Sequence, residues 1–258
     1  MERIQIGDFS LEMLMAGAGP PLLFLHGGDY FAQHREFFDR LARHWGVVVP
    51  RHPGFGNSER PNGFRTVDDL AYLYLDLLER HDFGKVTLVG ASLGGWVALE
   101  ICIRCCEAVD RLVLIDSVGL KFGGREERDI ADIYALSSDE LLRRSFFDPG
   151  RMAPDYARLD DDELSAIARD REATALYGWR PYMHNPGLRG WLHRVRVPTL
   201  VIWGENDGIV TPDYGRKLCL SLPDARFEPI PQAGHYPQIE RPDEVADAIE
   251  RFARAEVL

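Results

Sequence analysis

The feature that most constrains this chain is an alternation of short apolar runs with longer segments of helical spacing. The runs are Pro21–Leu25, Gly46–Val49, Lys85–Val89, Arg111–Ile115, Thr199–Trp203 and Arg226–Ile230. Between them lie helix candidates over about His34–Arg43, Val67–His81, Leu93–Cys106, Pro212–Leu220 and Pro242–Ala255. In the second of these, Leu70, Leu73, Tyr74, Leu77 and Leu78 form one apolar stripe at i, i+3, i+4 spacing. Strands that alternate with helices re-enter a sheet in the same direction, because only a helix-length crossover can carry the chain back. Arg3–Ile6 and Leu11–Met15 add an antiparallel hairpin at the start. The expectation is an α/β fold with a mostly parallel, doubly wound sheet of about eight strands.

One connection is too long for that scheme. Eighty residues separate Ser117 from Val197, whereas a simple βαβ unit needs roughly 30 in all. The surplus has helical character. Ser137-Ser138-Asp139-Glu140 has the spacing of a capping box, and Asp160–Glu163 is an acidic helix start suited to the N-terminal dipole. Ile130, Ile133 and Tyr134 also fall at i, i+3, i+4. The expected organisation is a core of residues 1–119 and 196–258 with a helical cap insertion at 120–195. The insertion leaves from the C-terminal edge of the sheet, where ligands bind in open α/β folds, so it either roofs the site or decorates one side.

Composition narrows the function classes. There are 30 Lys+Arg against 41 Asp+Glu, a formal charge of −11 and no basic tail, which argues against nucleic-acid or anionic-membrane partners. The start, Met1-Glu2-Arg3-Ile4-Gln5, lacks the apolar run of a signal peptide, and no stretch approaches membrane-spanning length, so cytoplasm is the expected compartment. Cys102, Cys105, Cys106 and Cys219 read as reduced thiols. Cys102-x-x-Cys105 matches half of a redox or zinc motif, but no second pair completes it; helix packing is the plainer reading. The expectation is a monomer or homodimer acting on a small molecule, with no metal and no cofactor.

Chemistry concentrates in Gly90-Ala91-Ser92-Leu93-Gly94, between a strand and a helix. A serine on such a turn must take a strained backbone conformation, flanking glycines allow close backbone approach, and the hydroxyl projects above the sheet. A neutral serine needs a base, and the base needs an orienting carboxylate. His235 in Gln232-Ala233-Gly234-His235 follows the last strand, whereas His44, His81 and His193 sit in helical or charged surroundings. Asp207 in Gly204-Glu205-Asn206-Asp207 follows the strand before it. Asp116, which ends the strand Arg111–Ile115, is a topological rival for the same role. Leu25-His26-Gly27-Gly28 ends the first core strand, where the N–H of Gly28 and that of Leu93 form a candidate oxyanion hole. His26 reads as a brace for that loop, and His52 and Ser58 as shaping the next one.

Taken together, these segments resemble the α/β-hydrolase fold superfamily, in particular a serine-nucleophile, esterase-like member with a helical cap. The resemblance runs through His26-Gly27-Gly28, Pro53-Gly54-Phe55-Gly56-Asn57-Ser58, the serine elbow, Pro198–Gly204, Ala233-Gly234-His235-Tyr236-Pro237 and Glu240-x-Pro242. It implies Ser92 as nucleophile, Asp207 as acid, His235 as base, and Gly28 and Leu93 as oxyanion donors. Arg51 departs from the pattern, since the family more often carries Asp there, which puts the electrostatics of that loop in question. The implied activity is hydrolysis of a small carboxylic ester, lactone or amide through an acyl-enzyme. Alternatives on the same frame are a C–C bond hydrolase of the meta-cleavage-product type, a cofactor-free peroxidase or lyase, and a non-catalytic ligand-binding module. Against the C–C reading, Gly28-Asp29-Tyr30 and Ala91 replace the Gly/Pro-rich stretch and the Asn typical of those enzymes.

Residues 176–192 hold Leu176, Tyr177, Trp179, Tyr182, Met183, Leu188 and Trp191, more aromatic surface than a solvated insertion needs. At least half should glue the insertion to the core. Trp179 and Met183 are the expected pocket-lining residues. Arg180 either pairs with a substrate carboxylate or lies on the surface.

Overall fold

The computed structural model describes residues 1–81, 83–152 and 154–255. Eight strands form one sheet: β1 (Glu2–Ile6), β2 (Phe9–Ala16), β3 (Pro21–Leu25), β4 (Gly46–Pro50), β5 (Val86–Ala91), β6 (Val109–Ile115), β7 (Thr199–Gly204) and β8 (Ala225–Ile230). Their order is β1-β2-β4-β3-β5-β6-β7-β8. The β1–β2 and β2–β4 pairs are antiparallel and the rest are parallel. Each expected strand is present, within two residues at either end.

Alternation along the central strands divides the core in two. Leu22, Phe24, Val89, Val113, Ile115 and Ile202 face one side, with α1 (Arg35–Leu41) and α10 (Pro242–Arg254) packed on it. Leu23, Leu25, Leu88, Leu112, Leu114 and Val201 face the other, covered by α2 (Val67–Arg80), α3 (Leu93–Arg104) and α8 (Pro212–Ser221). A sheet buried on both faces needs apolar residues at successive positions, which is why its strands read as continuous apolar runs.

The segment between β6 and β7 carries α4 (Ser138–Ser145), α5 (Pro149–Met152), α6 (Asp161–Gly178) and α7 (Leu188–Trp191); α9 (Pro237–Glu240) precedes α10. At the start of α6 the box is complete, with Asp160 accepting from the Glu163 N–H and Glu163 from the Asp160 N–H. At α4 only half of it forms. Ser137 accepts from the Glu140 N–H, while the Glu140 carboxylate is taken by Arg143 and Arg144. The helical spacing of Ile130, Ile133 and Tyr134 does not give a helix. Ile130 bridges to Val210, the Ala131 N–H donates to Ile209 and the Ile133 N–H donates to the Tyr182 hydroxyl, so neighbouring segments satisfy that backbone instead. Among the described residues no helix is long and apolar enough to cross a membrane. The four cysteines are free thiols.

Candidate active site

Four loops meet at the C-terminal edge of the sheet, after β3, β5, β7 and β8. Ser92 lies between β5 and α3 with φ 50° and ψ −114°, a strained conformation for a residue with a side chain. The glycines around it are required by space. A Cβ on Gly94 would stand 2.0 Å from the Leu25 carbonyl oxygen, and one on Gly90 2.4 Å from that of Gly94.

The hydroxyl, imidazole and carboxylate named above form one relay. Ser92 Oγ is 2.9 Å from His235 Nε2, and His235 Nδ1 is 2.8 Å from Asp207 Oδ2. The Asp207 carboxylate only accepts, so Nδ1 carries the hydrogen and Nε2 is left to accept from the serine. Asp207 is itself fixed, its Oδ1 accepting from the Ile209 and Val210 N–H groups at 2.8 and 2.9 Å. The His235 N–H donates to the Ser145 carbonyl at the end of α4 (2.8 Å). Glu240 accepts from the N–H groups of Gly234, Phe147 and Asp148, which ties the histidine loop to the β6–β7 segment.

Asp116, the rival acid, makes no hydrogen bond to His235. It is fully buried and accepts from the Gly204 N–H at 3.0 Å. Burial first, and then the charge of Asp207 beside it, pushes its carboxyl pKa well above the usual carboxylate range. Asp116, Asp207 and His235 have ligand atoms within 4.8 Å of one another, the spacing of a metal site. The relay and the Gly204, Ile209 and Val210 N–H groups already engage those atoms, so they work as a hydrogen-bonded set.

Leu93 and Gly28 both line the cavity at Ser92, and neither N–H finds an acceptor among the described residues. Two free donors beside a serine hydroxyl are suited to a developing oxyanion. Thr174 of α6 presses on Gly28, donating to its carbonyl at 3.1 Å, and a Cβ there would stand 2.6 Å from the Thr174 hydroxyl. His26 and His52 brace this loop. The His52 N–H donates to His26 Nε2, His52 Nε2 donates to the His26 carbonyl, and the Tyr74 hydroxyl donates to His52 Nδ1. Burial lowers the pKa of both, to about 4 for His52, which keeps them neutral.

The cavity is small, about 30 Å³. Of the three side chains nominated in the β6–β7 segment, Met183 lines it and is 5% exposed. Trp179 is 57% exposed and lines a separate hollow of about 300 Å³. Arg180 lies on the surface and lines none of the described cavities, so its pairing with a substrate at this site is not supported. Sequence reasoning missed Asp29, Tyr30, Thr174 and Tyr236 as cavity residues. The signal for Asp29 was its place directly after Gly28. Tyr236 likewise follows His235 directly, whereas no local pattern marks Tyr30 or Thr174.

A strained serine on a strand–helix turn, backed by imidazole and carboxylate on an α/β sheet, is the frame of a hydrolase. A family model described as the alpha/beta hydrolase family matches residues 22–248, and the chain belongs to that family. It is 27% identical to the 2-hydroxy-6-oxo-6-(2'-aminophenyl)hexa-2,4-dienoic acid hydrolase of Metapseudomonas resinovorans, over 96% of this chain and 89% of that one. It is 26% identical to the pimeloyl-[acyl-carrier protein] methyl ester esterase of Nitrosospira multiformis, over 96% of this chain and 100% of that one. Among solved structures, a serine hydrolase involved in carbazole degradation superposes with a TM-score of 0.80 at 26% identity, covering 98% of this chain and 97% of that one.

Proposed function

We propose that the chain is a serine hydrolase that cleaves small carboxylic esters, lactones or amides through an acyl-enzyme. The Ser92–His235–Asp207 relay is the observation that carries this reading. Ser92 Oγ attacks the substrate carbonyl carbon as its proton passes to His235 Nε2. The oxyanion is held by the Gly28 and Leu93 N–H groups, and the imidazolium then protonates the departing alkoxide or amine. Water repeats the sequence on the acyl-enzyme, releasing the acid and restoring Ser92. In the same reading, residues 120–195 are a cap over the site.

A fluorophosphonate should label Ser92 and no other residue. Ser92→Ala should lower kcat on a p-nitrophenyl ester by about 10⁴-fold or more. Labelling at another residue, or turnover within about tenfold of wild type in Ser92→Ala, would overturn the assignment. A second reading, C–C cleavage of a ring-fission product, is favoured by the Metapseudomonas relative and the carbazole-degrading neighbour. Against it, no Lys or Arg among the described residues lines the cavity to hold a dienoate carboxylate. Parallel assays on a ring-fission dienoate and on p-nitrophenyl butyrate separate the two.

A further inference from the structure

Apart from His235, the only ionisable acid or base among the described residues that lines the cavity at Ser92, tyrosines aside, is Asp29. It directly follows Gly28, which lines the same cavity. Its carboxylate is 15% exposed and accepts no hydrogen bond among the described residues. The nearest cation, Arg171 Nε, stands at 3.8 Å; that guanidinium is half exposed, donates to the Tyr156 hydroxyl and lines the neighbouring hollow with Asp29. A largely buried carboxylate with no protein donor is left to water or to a donor group on a bound ligand.

Position adds to this. Asp29 and Tyr30 also line a neighbouring hollow of about 370 Å³, together with Phe31, Tyr156, Leu159 and Ile167. The 30 Å³ beside Ser92 holds little more than a water molecule. A substrate bound at the serine and reaching into the larger hollow passes the Asp29 carboxylate.

We infer that Asp29 determines specificity at this site, accepting substrates with an ammonium or hydroxyl donor near the scissile carbonyl and rejecting those with a carboxylate there. The inference rests on the ester hydrolysis proposed for Ser92. Burial raises Asp29 to about 6, so it is ionised at and above neutral pH despite that cost.

The test compares wild type with Asp29→Asn on three p-nitrophenyl esters: butyrate, hemisuccinate with its free carboxylate, and β-alaninate with its free ammonium. At about pH 7.5, spontaneous hydrolysis subtracted, wild type should rank them ammonium, neutral, carboxylate in falling kcat/KM. Asp29→Asn should raise the carboxylate-to-neutral ratio about tenfold, equivalent to about 1.4 kcal/mol, and lower the ammonium-to-neutral ratio. Ratios unchanged within about twofold would overturn the inference. If wild type turns over none of the three, ester hydrolysis fails and calorimetry decides the inference alone. Butylammonium binding more tightly than butyrate, with the preference lost in Asp29→Asn, supports it; equal binding in both proteins overturns it.

Discussion

The guanidinium of Arg51, in the loop after β4, closes on the Asp170 carboxylate of α6 at 2.6 and 2.7 Å, with both side chains 8% exposed. Asp170 also accepts from the Gly56 N–H (2.8 Å), and the guanidinium lies 4.1 Å over the Phe31 ring. The residue that breaks the sequence pattern of this loop therefore has a partner, supplied by the segment between β6 and β7. Burial nevertheless raises the Asp170 pKa, against the opposing pull of Arg51.

Breaking this pair from one side should be costly. Arg51→Ala strands a buried carboxylate and should lose about 3–5 kcal/mol of stability by denaturant unfolding. Arg51→Met with Asp170→Asn removes both charges and keeps an acceptor for Gly56, and should recover most of that loss. A double variant as unstable as the single one would show that the charge pair itself stabilises the fold.

Asp29 sets a pH dependence of stability. Its carboxyl rises from 3.8 to about 6 on folding, so the folded state favours the protonated form. That contribution is fully present below about pH 4 and is lost as pH rises through about 6, a difference of at most about 3 kcal/mol. Asp29→Asn should match wild type near pH 4 and melt several degrees higher at about pH 8. A melting difference that does not vary with pH would count against the burial of this charge.

How far the sequence reveals this molecule depends on where the information lies. Strands β3 to β7 are buried on both faces, so their residues are apolar in continuous runs and their positions could be read directly. Ser92, Asp207 and His235 were legible because each follows a strand whose end must lie at one edge of the sheet. Ile130, Ile133 and Tyr134 misled, since helical spacing says nothing about a neighbouring loop, at Ile209 and Val210, that offers its own backbone partners. Arg51–Asp170 and the crowding of Thr174 on Gly28 join residues more than one hundred positions apart, and no local pattern encodes such pairs.

The two buried acids behind His235 should behave differently. Asp207→Asn should keep the fold yet leave the imidazole in the wrong tautomer, at a cost of about 10⁴-fold in kcat by analogy with serine proteases. Asp116 makes no hydrogen bond to His235, and Asn keeps an acceptor for the Gly204 N–H, so Asp116→Asn should cost less than about tenfold. Greater damage from Asp116→Asn would reverse the assignment.

Glu240 couples the histidine loop to the β6–β7 segment through three N–H groups. Glu240→Ala should lower stability by about 1–3 kcal/mol, because the Gly234 N–H is buried and loses its acceptor, while Phe147 and Asp148 are exposed and can turn to water. Its loss should also slow turnover, as His235 is no longer held against Ser92. Glu240→Gln, which keeps one acceptor oxygen, should fall between the two. Full stability in Glu240→Ala would remove this tie from the account.

Met183 and Trp179 test which part of the insertion sets acyl size. Met183 sits at φ 52° with its N–H on the Gly178 carbonyl, and its side chain closes the cavity above Ser92. Trimming it to Ala enlarges a space of about 30 Å³. The ratio of kcat/KM for a benzoyl ester over an acetyl ester should then rise about tenfold, one apolar contact being worth 1–3 kcal/mol. Alanine keeps the same backbone requirement, so the strain at this position is unchanged. Trp179 faces the outer hollow, packed edge-on against Tyr134 and Tyr182. Trp179→Ala should therefore leave the same ratio within about twofold. An equal change in both variants would place the determinant of acyl size in the insertion as a whole, and a change in Trp179→Ala alone would move it to the outer hollow.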